Sequence, residues 1–390
     1  MNLGHVIELN PNSAQLTYLA KSAGTARFAY NWALGRMEEH WASQRDKPAE
    51  ERVYISEGDL RKELNRIKRE QFPWMLEVSK YAVQEAVKQL GVAYRNFFKK
   101  KAKHPRRRKK YVDDRFSIGN DQVHVSGKRV RLPIIGWIRM REKVRFDGPI
   151  KSISISRKAD RWFISFNVEV DDTTRYFRQT ENQGEVLGID VGHRELAVLS
   201  NGERFEGPKA LKKSLKKLRR LQRSHARQKK GSERRKKTKM KIAKLHRRIA
   251  NIRKDYTHKL TTYIASTFSL VCMETVNVMG IMQNRSHARG MSDAGVFEMK
   301  RQLRYKLPLR GGQLIEADRW FASSKLCSCC GKKNDQLTLS DRTWTCLECG
   351  TTHDRDTNAA LNLKAYAVSY TVKVPGQISS GSNAAQAVFG

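Results

Sequence analysis

The sequence predicts a multidomain α/β protein, and three observations carry that prediction. Stretches of helical spacing and of strand alternation follow one another along 390 residues, a length that suggests two to four domains at about 100–200 residues each. Hydrophobic residues make up 39%, with 7 Trp, 12 Tyr and 14 Phe, which is enough for buried cores and too aromatic for a disordered chain. Against 39 acids stand 77 Lys and Arg, a formal net charge of +38, and so large a one-signed charge destabilises a compact monomer unless a polyanion neutralises it. The balance argues against a small-molecule metabolic enzyme and for a nucleic-acid partner. No run of about 18 apolar residues exists to span a membrane. Met1–Val6 lacks the charged start and apolar stretch of a signal peptide. A cytoplasmic protein without a membrane partner is therefore expected.

Element by element, a short strand over Gly4–Leu9 is stopped by Asn10, Pro11 and Asn12. Leu16, Leu19, Ala20, Ala23 and Ala26, then Tyr30 to Leu34, take helical spacing. Further helices are predicted over 58–69 and 79–98, the latter with Val83, Val87, Leu90, Tyr94 and Phe97 on one stripe. Nine of the twelve residues Lys99–Lys110 are Lys or Arg, a density that excludes a folded core and favours phosphate contact. Alternation from Phe116 to Val170, punctuated by Gly127, Gly136 and Gly148, predicts a small antiparallel barrel or sheet. The first strand would join it across the helical insertion.

Residues 185–206 give a second sheet signal, with Asn201-Gly202 as a hairpin turn. After Pro208 comes a helical hairpin turning near Gly231 and Ser232, one arm carrying Leu211, Leu215 and Leu218, the other Ile242, Leu245, Ile249, Ile252 and Tyr256. From Lys209 to Lys254 it holds 22 Lys and Arg and one acid, Glu233. A surface coiled coil intersperses Glu with Lys, so the missing acids point to a polyanion. Phe268–Glu274 reads as a buried strand ending in a carboxylate, Gly311–Asp318 as another, and Asp354–Ala367 as a helix. The tail from Val374, rich in Gly, Ser, Ala and Gln, is expected to be disordered.

Two constellations carry chemistry. Cys327-x2-Cys330-Gly and Cys346-x2-Cys349-Gly are separated by 15 residues, the spacing of a structural zinc ribbon, in which four thiolates saturate one Zn²⁺. Cys329 is the surplus residue. The second constellation is three acids beside predicted sheet ends or a helix start: Asp190, Glu274 and Asp356. Taken singly, each is a solvated cap. Converging, they would repel unless cations sat between them; hard oxygen ligands favour Mg²⁺, and two such ions can drive phosphodiester cleavage.

Gly188-Ile189-Asp190-Val191-Gly192, Met273-Glu274 through Gly280, Ser323 through Gly331, and His353-Asp354-Arg355-Asp356 through Ala360 occur in that order. Together with Gly24–Asn31 and Ser292–Gly295, the set resembles the TnpB family of small insertion sequences, relatives of the type V CRISPR effectors. The resemblance spans about residues 3–367. It implies an RNA-guided DNA endonuclease with an RNase H-like RuvC domain, an inserted zinc ribbon, and a split β-barrel carrying a helical insertion. Asp190, Glu274 and Asp356 would be its catalytic triad, holding two Mg²⁺. Asp356 is preferred over Asp354 because it precedes the Thr-Asn-Ala-Ala segment. Cys327, Cys330, Cys346 and Cys349 would hold zinc, and Tyr81 and Gln84 would contact a short transposon-adjacent motif. Ala322 stands where family members commonly carry Pro.

The implied organisation is a first barrel strand (1–12), a helical recognition module (13–98), a basic linker and barrel (99–180), RuvC (181–319) with the basic hairpin 209–258, the ribbon (320–352), a final RuvC helix (353–370) and a disordered tail (371–390). The implied partners are a guide RNA from the element's end, one chain per guide, and target double-stranded DNA. Two other readings stand beside this one: a nuclease-inactive RNA-guided repressor, and a zinc-ribbon RNA-binding protein without catalysis.

Overall fold

The N-terminal strand forms as β1 (Asn2–Asn10), which buries Leu3, His5, Ile7 and Leu9 on one face. Asn12 stops it and starts α1 (Ser13–Ser43) through a reciprocal cap: its side chain accepts from the Gln15 N–H at 2.9 Å, and Gln15 accepts from the Asn12 N–H at 3.0 Å. The computed structural model describes residues 1–373 apart from 181, 193 and 339. Of the tail assigned to 371–390, the first three residues close the last helix and the remainder lies outside the described residues. The chain divides into two compact units, Met1–Asp172 and Thr173–Gly390. Among the described residues no helix is long and apolar enough to cross a membrane.

In the first unit α1 runs on past the predicted Leu34, and α2 (Glu57–Gln71) and α3 (Lys80–Phe98) follow. Strands β2 (Arg115–Ile118), β3 (His124–Ser126), β4 (Arg129–Leu132), β5 (Gly136–Met140), β6 (Ile150–Lys158) and β7 (Arg161–Glu169) complete an antiparallel sheet of order β2-β6-β7-β1-β5-β4-β3. β1 joins it across the helical insertion, pairing with β7 from Asn2 to Glu8 and with β5 at Leu9 and Asn10. The expected split barrel is an open sheet in its hydrogen bonding: among the described residues β2 and β3 are edges that do not pair. β2 is four residues long and lies under α1 and α3, so helices rather than a closing strand cover that edge.

The basic stretch Lys99–Lys110 also departs from expectation at one residue. Arg108 is buried, its guanidinium 3.7 Å from the Tyr30 ring centroid and donating to the Gln89 side chain at 2.8 Å. Burial pulls its pKa down to about 10. A guanidinium stacked on an aromatic face can enter a core that an ammonium cannot, so Arg108 holds α1 to α3 instead of facing a phosphate.

The second unit is built on β8 (Asn182–Asp190), β9 (Ala197–Leu199), β10 (Arg204–Phe205), β11 (Phe268–Met273) and β12 (Gln313–Glu316), in the order β10-β9-β8-β11-β12. β8, β11 and β12 are parallel; β9 and β10 run antiparallel. The hairpin α4 (Ala210–Arg227) and α5 (Glu233–Thr267) leaves after β10, and α6 (Val278–Gln283), α7 (Ala288–Ala294) and α8 (Val296–Lys306) lie between β11 and β12. Leu187, Ile189, Val271 and Met273 pack one sheet face against Leu260 and Ile264 of α5 and Met299 and Leu303 of α8. On the other face Cys272 and Ile315 meet Leu363 and Ala367 of α9 (Arg355–Lys373). The hairpin's small core is Leu218, Leu245 and Ile249. Lys209 precedes α4 with φ 47° and offers no side-chain cap; Asp293 supplies it, accepting from the Leu211 and Lys212 N–H groups at 3.0 and 3.1 Å. β13 (Thr343–Thr345) and β14 (Thr352–Asp354) form a separate hairpin leading into α9.

One glycine fixes how α9 sits on the sheet. A Cβ at Gly188 would lie 1.9 Å from the Ala360 carbonyl oxygen and 2.5 Å from the Lys364 nitrogen, backbone atoms that cannot step aside. Gly188→Ala is therefore expected to destabilise the second unit by about 3 kcal/mol or more, the upper range of overpacking. Urea unfolding checks this. A midpoint unchanged from wild type would refute it.

Candidate active site and cysteine cluster

The parallel register sets Met273 opposite Ile189, so the next residues, Glu274 and Asp190, emerge side by side at the carboxyl ends of β11 and β8. Asp356 reaches the same place from the first turn of α9, which crosses β8 at Gly188. All three line one cleft of about 580 Å³, together with Asn277, Ser323, Arg342 and Arg355. Burial is the main force raising the Asp190 carboxyl well above the usual carboxylate range, with the charges of Glu274 and Asp356 adding to it. Glu274 is raised to about 7 by burial, against a hydrogen bond from the Val191 backbone, with Asp356 adding to the rise. Three acids thus share a pocket that resists their joint ionisation.

Cations partly answer that charge. Arg342 Nη1 stands 3.5 Å from Asp356 Oδ1; Arg342 and Arg355 act on Asp190, and Lys300 and Arg355 on Glu274. Two neighbouring acids are committed elsewhere. Glu316, at the end of β12, pairs with Lys300 at 2.6 Å and accepts from Arg304 at 2.7 Å. Asp354 caps α9, accepting from the Thr357 N–H at 2.9 Å, and pairs with Arg204 at 2.7 Å. Against the pull of burial these bonds hold its carboxyl below the usual range. Arg355 lies inside the His353–Asp356 motif and was within reach of sequence reading. Arg342 and Lys300 sit in no motif, and only the fold brings Arg342 to the cleft and the charge of Lys300 to bear on Glu274.

The sulfur atoms of Cys327, Cys330, Cys346 and Cys349 all lie within 4.8 Å of one another and form a cluster that could hold a metal ion. Cys329 is exposed and not part of it. The three carboxylates do not form so tight a donor group. His353 Nε2 is 3.0 Å from Cys327 Sγ, and its ring packs on Trp344. Asn358 and Asn362, one turn apart on α9, clamp the first knuckle. Asn358 donates to the Leu326 carbonyl at 2.7 Å and accepts from the Ser328 N–H at 2.9 Å, while Asn362 donates to the Ser323 and Leu326 carbonyls at 2.7 Å. Arg355 reaches the Thr338 carbonyl at 2.7 Å.

Tyr81 and Gln84 lie in the first unit, one turn apart on α3. Tyr81 donates to the Asp121 carboxylate at 2.7 Å, and Gln84 is partly exposed.

Comparison with known proteins adds independent findings. The profile of a family described as "Probable transposase" (OrfB of IS605) matches residues 165–285, "Cas12f1-like, TNB domain" matches 297–363, and "Helix-turn-helix domain" matches 1–46. The last span is here β1 followed by the single helix α1. A Streptomyces pristinaespiralis protein named "Putative RNA-guided DNA endonuclease" is 34% identical over 91% of this chain and 87% of its own length. An Escherichia coli K12 protein, "Putative RNA-guided DNA endonuclease InsQ", is 32% identical over 92% and 90%. The solved structure titled "Cryo-EM structure of the Cas12f1-sgRNA-target DNA complex" shares the fold, with a TM-score of 0.56 at 16% identity over 90% of this chain and 83% of the other. By near-full-length similarity to these relatives, this chain belongs to the TnpB (OrfB of IS605) family of insertion-sequence proteins.

Proposed function

We propose that this protein is an RNA-guided endonuclease of a transposable element that cuts double-stranded DNA beside a short transposon-adjacent motif. The observation that carries the reading is the meeting of Asp190, Glu274 and Asp356 in one cleft of a chain with net charge +38. The names of the relatives support it. Two parallel strands ending in adjacent acids, with a third acid on a helix across the sheet, support an RNase H-like RuvC domain. In this reading the RuvC domain spans 181–319 with the hairpin 209–258, is interrupted by the ribbon 320–352 and ends with the helix 353–370, while 13–98 is the recognition module.

The donor set fits magnesium, since all three donors are hard carboxylates and the elevated carboxyls of Asp190 and Glu274 mark negative charge that a divalent cation relieves. Asp190, Glu274 and Asp356 are the residues that would hold the two ions, which when bound activate water and stabilise the leaving oxygen in phosphodiester cleavage. The chain's own part is to present those carboxylates from two strand ends and a helix start, and to offer Arg342 and Arg355 as charges for the phosphate entering the cleft. Cys327, Cys330, Cys346 and Cys349 fit one structural zinc, four sulfur donors leaving no open position. Tyr81 and Gln84 are proposed to read the adjacent motif. Base pairing would read the rest, so the protein needs mainly cations that grip backbones. The repressor and RNA-binding readings leave the three acids without work.

The deciding experiment purifies the protein with its RNA, sequences that RNA, and offers matched duplex DNA with Mg²⁺. Cutting of matched duplex alone supports the reading. Absence of co-purified RNA, or equal cutting of unmatched duplex, refutes it. The exposed cations of α4 give a further expectation. Replacing Lys213, Lys216, Lys217 and Arg220 by Gln should flatten the plot of log affinity for RNA against log salt by about 3, because each phosphate contact releases close to one counterion. An unchanged slope would remove α4 from the RNA-binding surface.

A further inference from the structure

At the C-terminal end of α3 the walls of an open cavity of about 500 Å³ include Trp41, Tyr94 and Phe98. Trp41 meets Phe98 at 5.8 Å and Tyr54 at 5.4 Å between ring centroids, and Tyr94 stacks on Phe98 at 6.0 Å. Phe98 is 58% exposed and Tyr54 69%, so this aromatic surface faces outward. The chain holds it in place. The Val53 N–H donates to Gln44, and the Val53 carbonyl lies 2.6 Å from His40 Nε2, which fixes Tyr54 against Trp41. Lys100 takes a left-handed backbone, φ 56°, and turns the chain so that His104 stands edge-on to Tyr94.

That turn places the exposed cations Lys99, Lys100, Lys101 and Lys103 next in sequence to Phe98, while Arg45 and Arg52 line the cavity itself. Among the described residues neither arginine forms an ion pair with a carboxylate; Arg52 donates to the Lys47 and Arg45 carbonyls at 2.9 and 3.3 Å, and Glu38, on the same wall, pairs with Arg107. Trp41 Nε1 and the Tyr94 hydroxyl, both on residues of the cavity wall, are buried and have no hydrogen-bond partner among the described residues. An apolar protein partner would not call for these cations, and a second copy would meet them with like charge. Rings flanked by guanidinium and ammonium groups suit single-stranded nucleic acid, whose bases stack on the rings while the phosphates meet the cations.

We propose that Trp41, Tyr54 and Phe98, with Arg45 and Arg52, form a stacking site for one unpaired nucleobase of the bound RNA. The proposal rests on RNA being a resident partner. A permanent ligand, unlike a DNA target that comes and goes, keeps an exposed aromatic patch covered.

The test irradiates the purified ribonucleoprotein without DNA and maps ribonucleotide adducts by mass spectrometry. Adducts are expected on peptides carrying Trp41, Tyr54 or Phe98. Phe98→Ala should weaken RNA affinity on the order of 10-fold at fixed salt with an unchanged salt slope, and Phe98→Trp should restore it. Arg45→Ala should lower the slope by about one. Absence of adducts on all three peptides overturns the site, even where Phe98→Ala proves too unstable to assay. So do adducts that form only after DNA is added, and so does dimerisation that Phe98→Ala abolishes. Protein that carries RNA without these adducts refutes this site alone, whereas protein that purifies without RNA refutes the guided-nuclease reading as well.

Discussion

Asp190→Asn is expected to abolish DNA cutting and also to raise the melting temperature of the metal-free protein. Loss of one anionic donor from a site proposed to hold two divalent ions should slow cleavage about a thousandfold or more, ~4 kcal/mol in the barrier. RNA-dependent binding of matched DNA should persist, because neither base pairing nor the cationic surfaces involve Asp190. The stability gain follows from the direction of the carboxyl shifts. Asp190 and Glu274 are both raised in the folded state, so folding favours their protonated forms. The stability they contribute is present at low pH and is lost as pH climbs past the ordinary 3.8 of Asp190 and 4.5 of Glu274, through about 7 for Glu274. Holding the Glu274 carboxyl at about 7 costs the ionised fold roughly 3 kcal/mol, and Asp190 is shifted in the same direction. An amide at 190 removes one like charge, so the variant should melt a few degrees above wild type at pH 8, a gain that vanishes as pH falls below the ordinary 3.8 of an aspartate. Mg²⁺ should raise the wild-type melting temperature and the variant's much less. A variant that cuts at the wild-type rate, or melts below wild type at pH 8 without metal, would sink the assignment.

The same residues show what a sequence can and cannot disclose. Asp190 and Glu274 were legible because each closes an apolar strand, and strand ends are where parallel sheets expose polar groups. The flanking Thr-Asn-Ala-Ala segment marks Asp356 over Asp354; in the fold, Asp354 is spent on capping α9 and pairing with Arg204. Gly188 was visible as a motif letter, but its reason, an α-helix backbone within 2 Å of where a Cβ would stand, exists only once α9 is docked. Arg342 and Lys300 carry no signal, since a lone cation among 77 acquires a role only through long-range contacts. The burial of Arg108 is hidden for the converse reason: composition marks the run Lys99–Lys110 as one phosphate-contacting tract, while a single guanidinium finds an aromatic face and a glutamine. The split barrel that the resemblance implies is an open sheet in its hydrogen bonding; alternation leaves barrel and sheet equally open, because it predicts strands and says nothing about what covers an edge.

Cys330→Ser is expected to cost cutting even though no cysteine lines the cleft. The sulfur cluster folds the knuckles; the second knuckle runs through β14 directly into Asp354, the cap of α9, and Asp356 follows two residues later. The first knuckle is bound to the same helix by Asn358, which is 1% exposed and bonded on both polar atoms, and by Asn362. Arg342, the residue before β13, and Arg355 complete the link. A ribbon that loses its metal loses the frame that sets the start of α9, and a carboxylate displaced by about 1 Å can cost on the order of 100-fold. The Cys330→Ser protein should therefore contain almost no zinc, retain its RNA, and cut at least about 10-fold more slowly. Asn358→Ala separates the frame from the metal. It should keep about one zinc per chain, lose about 1–3 kcal/mol through unpaired buried backbone groups, and cut more slowly than wild type. If Asn358→Ala binds zinc and cuts at full rate, the ribbon does not position Asp356, and slow cutting by Cys330→Ser must arise from lost contact with nucleic acid.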